Sequence, residues 1–348
     1  MSLQFHTHVS LAPHLTMHLG GNAYAMVDVS SKDDIVAACR YAKEQSKPIF
    51  VLGGGSNTLA HDEGYDGIIM HNCLPGFEII HEDNTSVTIT IGAGEILDNI
   101  VARCVDMGLS GIEALSAIPG TAGAAPVQNV GAYGQEIADT LVSLEAYDRH
   151  AGQFVTLQAA DCEFSYRHSI FRGRNAGQYI ISSITLRLSK KLPQPPFYQA
   201  VQDYLTAHDI TQPTPRDIRQ AVTTIRANKR PDPPILPNTG SFFKNAIVDS
   251  ATFTAIQQKH PTVPYYTMPN RQVKIPSGWL IEQAGLKGVV SHGMKVHDKN
   301  AVVLINQSAH SYNDLAAARG EIIAAVQQKF GITISQEPLE IPPAPSLQ

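Results

Sequence analysis

Two glycine-rich stretches contain the residues most suggestive of ligand binding. The first reads FVLGGGSNTLA over residues 50–60, where an apolar run ends at three glycines followed by Ser56 and Asn57. The second, residues 111–137, contains five glycines, two prolines and few charged residues, which is not typical of a solvated linker. Where side chains are missing, backbone N–H groups can come within hydrogen-bonding distance of a large flat ligand. One such stretch alone is more often a surface loop, but two in one domain favour ligand binding.

The elements around the first stretch exclude the two common nucleotide-binding motifs. The preceding SSKDDIVAACRYAKEQSK has apolar residues at helical spacing, with Ser30 or Ser31 as the predicted cap, and KPIFVL then predicts a short strand. A Rossmann fingerprint or a P-loop needs the order strand, glycine loop, helix. No Gly-Lys-Ser/Thr is present in the sequence. We therefore expect a different kind of glycine-based site.

Composition limits the class of protein. The 348 residues suggest two or three domains, and 43% hydrophobic with 16% charged residues fits an ordinary globular chain. A formal net charge of -5 and a pI near 6.3 make nucleic acid an unexpected partner. Because no apolar run of about 18 residues and no signal peptide is visible, we expect a cytoplasmic protein without membrane insertion.

Cysteine and histidine spacings predict no metal site. The cysteines form no Cys-x-x-Cys pair, so we interpret them as buried reduced thiols. They are Cys39, Cys73, Cys104 and Cys162. His14 and His18 lack the intervening glutamate of a zinc protease, and Glu78 and His81 lie in strand-like sequence, where their spacing directs them to opposite faces.

The rest of the chain predicts an α+β or mixed α/β protein without internal repeats. Strands are predicted at SVTITIGAG (86–94), TLVSLEAYD, FVTLQAADCEF, QYIISSITLRLSK and AVVLIN (301–306). Helices are predicted at 95–109, at 276–285 and at 311–330, the last with a Ser311/Asp314 capping box. A further helix is predicted to begin at Pro215, with Thr214 as its cap. The proline-rich LPQPPFY and TQPTPRD place a domain boundary near residue 209. We predict two lobes, residues 1–70 and 71–208, followed by a C-terminal domain at 209–348.

Six separated motifs resemble one enzyme family. They are VLGGGSN, IPGTAGAAPVQNVGAYG, YRHSIFR, NTGSFFKN, PSGWLIEQAGLKG and VHDKNAVVLIN. In this order and spacing, over most of the chain, they resemble the UDP-N-acetylenolpyruvoylglucosamine reductases of bacterial peptidoglycan precursor synthesis. The resemblance implies an α+β fold with a two-lobed FAD-binding domain of the vanillyl-alcohol oxidase type and a C-terminal substrate-binding domain.

The same resemblance implies non-covalent FAD as cofactor and NADPH as electron donor. Three glycines can offer N–H groups to a pyrophosphate without obstruction by a Cβ, and no lysine is needed there. The implied FAD-binding residues are Gly53, Gly54, Gly55, Ser56, Asn57, Ile118, Pro119, Gly120, Gly123, Ala124, Gln128, Asn129 and Gly131.

The implied reaction reduces an enolpyruvyl ether to a lactyl ether, for which the protein must stabilise an enolate-like charge and protonate a carbon. Arg167 matches the arginine that meets the substrate carboxylate, and Tyr166 is placed beside it. Ser241 matches the serine that gives its proton to the carbanion. Lys229, Lys244 and Asn245 match positions that bind substrate phosphates or lower the pKa of the hydroxyl.

The third catalytic position departs from the family pattern. The family shows two glutamates one residue apart, whereas this chain reads GITISQEPLEIPP. Counting from Gly331 favours Glu337, with Glu340 as the alternate. The role is a hydrogen bond to the substrate carboxylate, as the neutral acid, because an ionised carboxyl would repel the enolate.

Two further substrate contacts are implied more distantly. Tyr198 matches by spacing a tyrosine on a loop that closes over the nucleotide, and Gln283 in WLIEQAG is placed near substrate. We expect small-molecule substrates, no nucleic acid, and a monomer.

Two competing functions remain open from the sequence. One is an FAD-dependent alcohol or sugar-lactone oxidase, although residues 119–131 contain no His, Cys or Tyr for a covalent flavin link. The other is a flavin-binding or nucleotide-sugar-binding regulator, which would not need a proton donor such as Ser241.

Overall fold

The computed structural model describes residues 3–268 and 271–342 and confirms an α+β fold. The strands are β1 (His6–Ser10), β2 (Asn22–Val29), β3 (Ile49–Leu52), β4 (Thr58–Ala60), β5 (Tyr65–Asn72), β6 (Phe77–Glu82), β7 (Ser86–Gly92), β8 (Gly131–Ala132), β9 (Gln135–Glu136), β10 (Leu141–Asp148), β11 (Gln153–Gln158), β12 (Tyr179–Ser189), β13 (Asn238–Ser241), β14 (Ala246–Val248), β15 (Tyr266–Thr267), β16 (Val273–Ile275), β17 (Val290–Ser291), β18 (Met294–Val296), β19 (Val303–Asn306) and β20 (Leu339–Ile341). The helices are α1 (Lys32–Glu44), α2 (Leu97–Asp106), α3 (Gln199–Ala207), α4 (Pro215–Lys229), α5 (Ser250–Lys259), α6 (Ser277–Gln283) and α7 (Tyr312–Phe330). Within the described ranges, no helix combines the length and the apolar composition needed to cross a membrane.

The chain divides into two compact units that are each discontinuous in sequence. Unit 1 comprises residues 1–9, 23–55 and 66–228, and unit 2 comprises 10–22, 56–65 and 229–348. Unit 2 therefore includes two short N-terminal segments and excludes residues 209–228. The sequence analysis divided the chain differently, into three continuous ranges, and that division stays a prediction.

Unit 1 contains a four-stranded sheet in the order β1-β2-β5-β3, covered by α1. Ser31 caps α1, because its side chain accepts a hydrogen bond from the N–H of Asp34. Ile35, Ala38 and Ala42 of this helix are buried, as their spacing predicted. Strand β3 pairs in parallel with β5 and leads directly into the first glycine stretch.

The second sheet of unit 1 is antiparallel, in the order β11-β10-β12-β7-β6, and packs against α2. Helix α2 buries the predicted face, but it begins at Leu97 and not at residue 95. The two residues predicted to begin the helix bond to other segments instead. The Glu95 carboxylate accepts a hydrogen bond from the N–H of Gly76, and Ile96 forms a β-bridge with Thr121. The strand predicted from FVTLQAADCEF ends at Gln158, where a capping box with Asp161 begins a 3-10 turn.

Helices α3 and α4 pack together in a small core of unit 1 that also includes Ala114. Val201 and Leu205 of α3 pack with Ile218 and Val222 of α4. Pro215 is the first residue of α4, as predicted, and Thr214 and Asp217 exchange hydrogen bonds at its start.

Unit 2 contains a four-stranded antiparallel sheet, β13-β19-β18-β17, and a three-stranded sheet, β14-β16-β15. Strand β20 pairs in parallel with β4, and this brings the end of the described chain beside the segment that follows the glycines. The core gathers apolar residues from both sheets and from α5, α6 and α7, including the fully buried Phe242. The predicted strand at 301–306 begins at Val303, and the predicted helix at 276–285 is confined to α6.

Helix α7 is the longest helix of unit 2 and has the caps that its sequence predicted. Ser311 and Asp314 each accept a hydrogen bond from the other's backbone N–H, and Gly331 ends the helix with a φ of 69°. Leu315, Ala318 and Ile322 lie on its buried face.

We expect Ser311→Ala to lower the free energy of unfolding by about 1 kcal/mol, because it leaves an N–H at the start of α7 without its partner. Chemical denaturation with urea measures this loss. Ser308→Ala, at an exposed serine outside the helix, is the matched control and should change stability by less than about 0.5 kcal/mol. Equal effects of the two substitutions would contradict the capping role.

Candidate active site

In unit 1 the two glycine-rich stretches lie directly against each other. A Cβ built on Gly53 would lie 2.6 Å from Oγ1 of Thr121, and one on Gly54 would lie 3.1 Å from Cα of Gly120. A side chain at Gly53 would therefore require the side chain of Thr121 to move, and one at Gly54 would crowd the backbone of Gly120. Gly55 has a φ of 63°, in the left-handed region that favours glycine. Such a glycine-lined cradle fits the anionic pyrophosphate of a flavin nucleotide.

The second stretch is irregular but firmly anchored. The N–H of Ala122 donates to the carbonyl of Glu95, and the N–H of Gly123 donates to that of Ala93. A Cβ on Gly123 would lie 2.5 Å from the Cβ of Ala93, so this close contact also requires glycine. Residues Ala122–Gln128 then form a 3-10 helix, which includes the predicted Ala124 and Gln128.

Asn129 ends this 3-10 helix in the left-handed conformation, with a φ of 49°. Its buried side-chain amide donates to Oε2 of Glu136 at 2.6 Å and to the carbonyl of Ser165 at 3.2 Å. The latter bond connects the glycine-rich stretch to the segment that contains Arg167. Asn129 therefore has a clear structural role in addition to the cofactor contact that we predict.

Arg167 is held beside the second glycine-rich stretch. Its Nη2 donates to the carbonyl of Gly131 at 2.9 Å, and its guanidinium lies 5.2 Å from the ring centre of Tyr166. The backbone of Arg167 has a φ of 54°, which is uncommon for a residue with a side chain and is often found at functional sites. The structure thus brings together Arg167, Tyr166 and Gly131 of the predicted set.

Unit 1 also shows contacts that the sequence analysis missed. Nη1 of Arg172 donates to Oε1 of Gln128 at 2.6 Å. Tyr198 is 40% exposed just before α3, and its ring contacts Tyr133 edge to face at 5.5 Å. The spacing of YRHSIFR contained the signal for Arg172, but nothing in the sequence indicated its partner. Ile118 packs against the core of the second sheet.

In unit 2 the structure brings Ser241 and Glu337 onto neighbouring segments. The N–H of Glu337 donates to the carbonyl of Phe242 at 2.8 Å, and the N–H of Lys244 donates to the carbonyl of Ser335 at 2.9 Å. Glu337 is buried and Ser241 is half-buried. A hydroxyl group and a carboxyl group, which the sequence analysis predicted as proton donor and hydrogen-bonding acid, therefore lie on adjacent segments of unit 2.

Arg230, and not the predicted Lys229, contacts the hydroxyl of Ser241. Nη1 and Nη2 of Arg230 each lie 3.2 Å from Oγ of Ser241, whereas Lys229 is exposed at the end of α4. The sequence shows adjacent Lys and Arg before Pro231, and it does not indicate which of the two turns toward the serine.

Glu340, the alternate carboxyl, is engaged in an ion-pair network. Its Oε1 accepts hydrogen bonds from the hydroxyl of Tyr312 at 2.5 Å and from Nη1 of Arg319 at 2.8 Å, and its Oε2 lies 3.3 Å from Nε2 of His61. Burial alone would raise the pKa of Glu340, but these hydrogen bonds and one from Gln336 lower it to about 2. An ionised, fully bonded carboxylate is unsuited to donate a hydrogen bond, which is the role that the sequence analysis gave to the catalytic carboxyl group.

The remaining predicted substrate residues lie around the start and end of α6. The N–H of Ser277 donates to Oδ1 of Asn245, and the hydroxyl of Ser277 donates to the carbonyl of Lys244. These bonds fix the backbone after Ser241. Gln283 is exposed at the last position of α6, and its carbonyl accepts a hydrogen bond from Nζ of Lys329.

The four cysteines are free thiols, but only two are buried as predicted. Burial raises the pKa of Cys104 and of Cys162 to about 12. Cys39 is half-buried, and burial raises its pKa to about 11. Cys73 is also half-buried, and its sulfur lies 3.2 Å from Nδ1 of His71. The same Nδ1 atom lies 2.8 Å from Oδ1 of Asp28. These three side chains could together hold a metal ion, an arrangement that the cysteine spacing did not indicate.

Comparison with known proteins first defines the class. Residues 23–158 match the family described as "FAD binding domain". This range contains both glycine-rich stretches. The chain is therefore an FAD-containing oxidoreductase with an α+β fold.

The particular family follows from matches along the whole chain. Residues 232–341 match the family described as "UDP-N-acetylenolpyruvoylglucosamine reductase, C-terminal domain". The UDP-N-acetylenolpyruvoylglucosamine reductase of Ralstonia nicotianae is 42% identical over 96% of this chain and 98% of that protein. That of Pseudomonas syringae pv. syringae is 38% identical over 97% of this chain and 99% of that protein. The chain belongs to the UDP-N-acetylenolpyruvoylglucosamine reductase family.

A solved structure agrees in fold. The crystal structure of the UDP-N-acetylenolpyruvylglucosamine reductase from Thermus caldophilus is similar with a TM-score of 0.64 and 23% identity. The similarity covers 98% of this chain and 99% of that one.

The pKa of Glu340 makes a prediction about acid stability. A carboxyl whose pKa falls from 4.5 to about 2 on folding stabilises the folded state above pH 4.5, and this contribution is lost as the pH falls toward 2. We expect Glu340→Gln to remove about 2 to 3 kcal/mol at pH 7 and to weaken the loss of stability between pH 4.5 and 2. Urea unfolding at several pH values measures both effects.

The matched control is Glu63→Gln, at an exposed glutamate of the same unit. It should reproduce the pH dependence of the unsubstituted protein. If Glu340→Gln shows that same dependence, the network does not hold the carboxylate in its ionised form.

Proposed function

We propose that this chain reduces UDP-N-acetylglucosamine enolpyruvate with Ser241 as proton donor, Arg167 as the partner of the substrate carboxylate and Glu337 as a hydrogen-bonding acid. The reaction is that of its family: it forms UDP-N-acetylmuramate for peptidoglycan precursor synthesis, through FAD and with NADPH as electron donor. The observation that carries the assignment of residues is the pairing of residues 335–337 with 242–244, which puts Glu337 beside the strand end that contains Ser241.

FAD, when bound, supplies hydride chemistry by accepting hydride from NADPH and passing it to the substrate's vinyl carbon. The residues proposed to hold it are Gly53, Gly54, Gly55, Ser56 and Asn57 of the first stretch. The second stretch adds Ile118, Pro119, Gly120, Gly123, Ala124, Gln128, Asn129 and Gly131. The close contact of Gly53 and Gly54 with Gly120 and Thr121 supports this assignment, because it joins the two stretches into one backbone surface.

Arg167 suits recognition of the substrate carboxylate. A guanidinium remains charged at all physiological pH values and offers a planar fork of N–H donors. Its bond to the carbonyl of Gly131 restricts the side chain, and such restriction lowers the entropy lost on binding. Tyr166 provides an aromatic face beside it.

Ser241 completes the reaction by protonating the neighbouring carbon. The Ser241 O–H bond breaks, a C–H bond forms at the substrate carbon, and the electron pair stays on Oγ until solvent returns a proton. A hydroxyl is a weak acid, but the developing carbanion is strongly basic, so transfer is favourable once the two atoms are aligned. Glu337, when protonated, can donate a hydrogen bond to the substrate carboxylate, where the enolate charge accumulates.

Further substrate contacts are proposed for Lys229, Lys244, Asn245, Gln283 and Tyr198. The backbone around Lys244 and Asn245 is fixed by Ser277, which supports a role in placing the substrate. We also propose that the enzyme works as a cytoplasmic monomer on small molecules, since NADPH and nucleotide sugars are metabolites of that compartment.

The two half-reactions test this function. NADPH added anaerobically should bleach the visible absorbance of the flavin, and the enolpyruvyl substrate should restore it. Ser241→Ala should slow the recovery by on the order of 10²-fold or more and leave the bleaching within about twofold, because only the second half-reaction needs the proton. Stopped-flow absorbance follows both phases. If oxygen alone restores the absorbance of the unsubstituted protein, an oxidase is the better assignment.

Substitution of the two glutamates tests which one acts on the substrate. We expect Glu337→Ala to slow the recovery phase by on the order of 10²-fold, and Glu337→Gln to retain more activity because its amide can still donate. Glu340→Ala should lower the unfolding midpoint and change the recovery rate much less. The opposite ranking of Glu337→Ala and Glu340→Ala in the recovery rate would transfer the catalytic role to Glu340.

A further inference from the structure

The contact between Arg230 and Ser241 determines where the serine hydrogen can go. Both terminal nitrogens of Arg230 lie 3.2 Å from Oγ of Ser241. A guanidinium has N–H donors and no acceptor, so Oγ accepts both bonds. A hydroxyl oxygen has two lone pairs, and both are then engaged. The hydroxyl hydrogen is left for a third partner, which the proposed reaction supplies as a carbanion.

The local backbone fixes Arg230 and Ser241 relative to each other. The side chain of Asn238 is buried, with 1% exposed. Its Nδ2 donates to the carbonyl of Pro231 at 3.4 Å, and its Oδ1 accepts the N–H of Gly240 at 2.7 Å. One buried amide therefore binds the residue after Arg230 and the residue before Ser241. This arrangement limits the positions that the guanidinium can take.

The charge of Arg230 also acts on the product of proton transfer. As the O–H bond breaks, negative charge develops on Oγ, between two charged N–H donors that are already in place. Donors arranged in advance at a site of developing charge stabilise the transition state without further reorganisation. Neutral partners in the same position would give weaker hydrogen bonds.

We propose that Arg230 is the positioning residue of Ser241. It directs the hydroxyl hydrogen toward the substrate and stabilises the alkoxide that remains after proton transfer. This inference rests on the proposed role of Ser241 as proton donor. It assigns to Arg230 the activation of the hydroxyl, which was one of two roles that the family resemblance implied for Lys229, Lys244 and Asn245.

The test compares Arg230→Met and Arg230→Lys with the control Arg216→Gln in FAD-loaded enzyme. Arg216 forms an exposed ion pair with Asp106, and loss of such a pair has little effect. We expect Arg230→Met to slow recovery of flavin absorbance by the enolpyruvyl substrate by on the order of 10²-fold. Bleaching by NADPH should stay within about twofold of the unsubstituted enzyme, as should both phases in the control.

The pH dependence of Arg230→Lys separates electrostatic positioning from packing. A lysine keeps the charge at pH 7 but loses it near its ordinary pKa of about 10.4, whereas arginine stays charged. We expect partial rescue of the recovery rate at pH 7, and a fall in this rescue toward pH 10 that the unsubstituted enzyme does not show. A packing role alone would not depend on pH in this way. If Arg230→Met does not fold, the pH dependence of the recovery rate in Arg230→Lys decides the proposal.

A double substitution tests whether Arg230 acts through Ser241. In a Ser241→Ala background, Arg230→Met should slow recovery by no more than about twofold further, because the group that it serves is gone. An undiminished effect of Arg230→Met in that background would overturn the proposal. So would an Arg230→Met enzyme whose recovery rate equals that of Arg216→Gln.

The outcomes separate this proposal from the proposed function. If the unsubstituted enzyme is bleached by NADPH but not restored by the enolpyruvyl substrate, the proposed function fails and the role of Arg230 fails with it. If the unsubstituted enzyme completes both phases and Ser241→Ala slows only the second, the function stands. The Arg230 variants then decide the role of Arg230 independently.

Discussion

Backbone hydrogen bonds hold residues 335–339 in unit 2, and the chemistry that we propose for that unit depends on them. The N–H of Glu337 donates to Phe242, that of Lys244 donates to Ser335, and that of Leu339 donates to Asn57. Each bond adds only about 1 kcal/mol of net stability, but a buried group left unpaired would cost more. These bonds put Glu337 beside the strand end that contains Ser241 and direct Glu340, three residues later, to Arg319 and Tyr312.

Unit 1 depends on a different constraint, the absence of side chains. Gly53 and Gly54 let one loop contact Gly120 and Thr121 of another, and Gly123 rests on Ala93 in the same way. Glycine raises the entropic cost of ordering a loop. The backbone hydrogen bonds of the second stretch offset this cost. The result is a backbone surface suited to an extended flavin nucleotide. The left-handed backbone of Asn129 and Arg167 lies next to it, where local strain often accompanies function.

Two arginines of unit 2 show how context decides the role of one side chain. Arg319 pairs with a carboxylate, and this ion pair belongs to a network that includes Tyr312 and lowers the pKa of Glu340. Arg230 donates to a hydroxyl that has no charge in the resting enzyme, so its electrostatic effect is largest when charge develops on Oγ. The first arginine stabilises the fold, and the second prepares a reaction.

The sequence by itself determined the class, the family and many of the regular elements, because these depend on local patterns and on motif order. The Ser311 cap and the buried faces of α2 and α7 were predicted correctly, and Ser31 was one of the two caps predicted for α1. Tertiary structure shortened α2, because Glu95 and Ile96 bond to other segments. It also gave Glu337 and Glu340 different partners and brought Arg230, which the sequence analysis did not propose, to the hydroxyl of Ser241. Each of these arrangements depends on partners in other segments, and hydrogen-bonding geometry between such segments is set only when the chain folds.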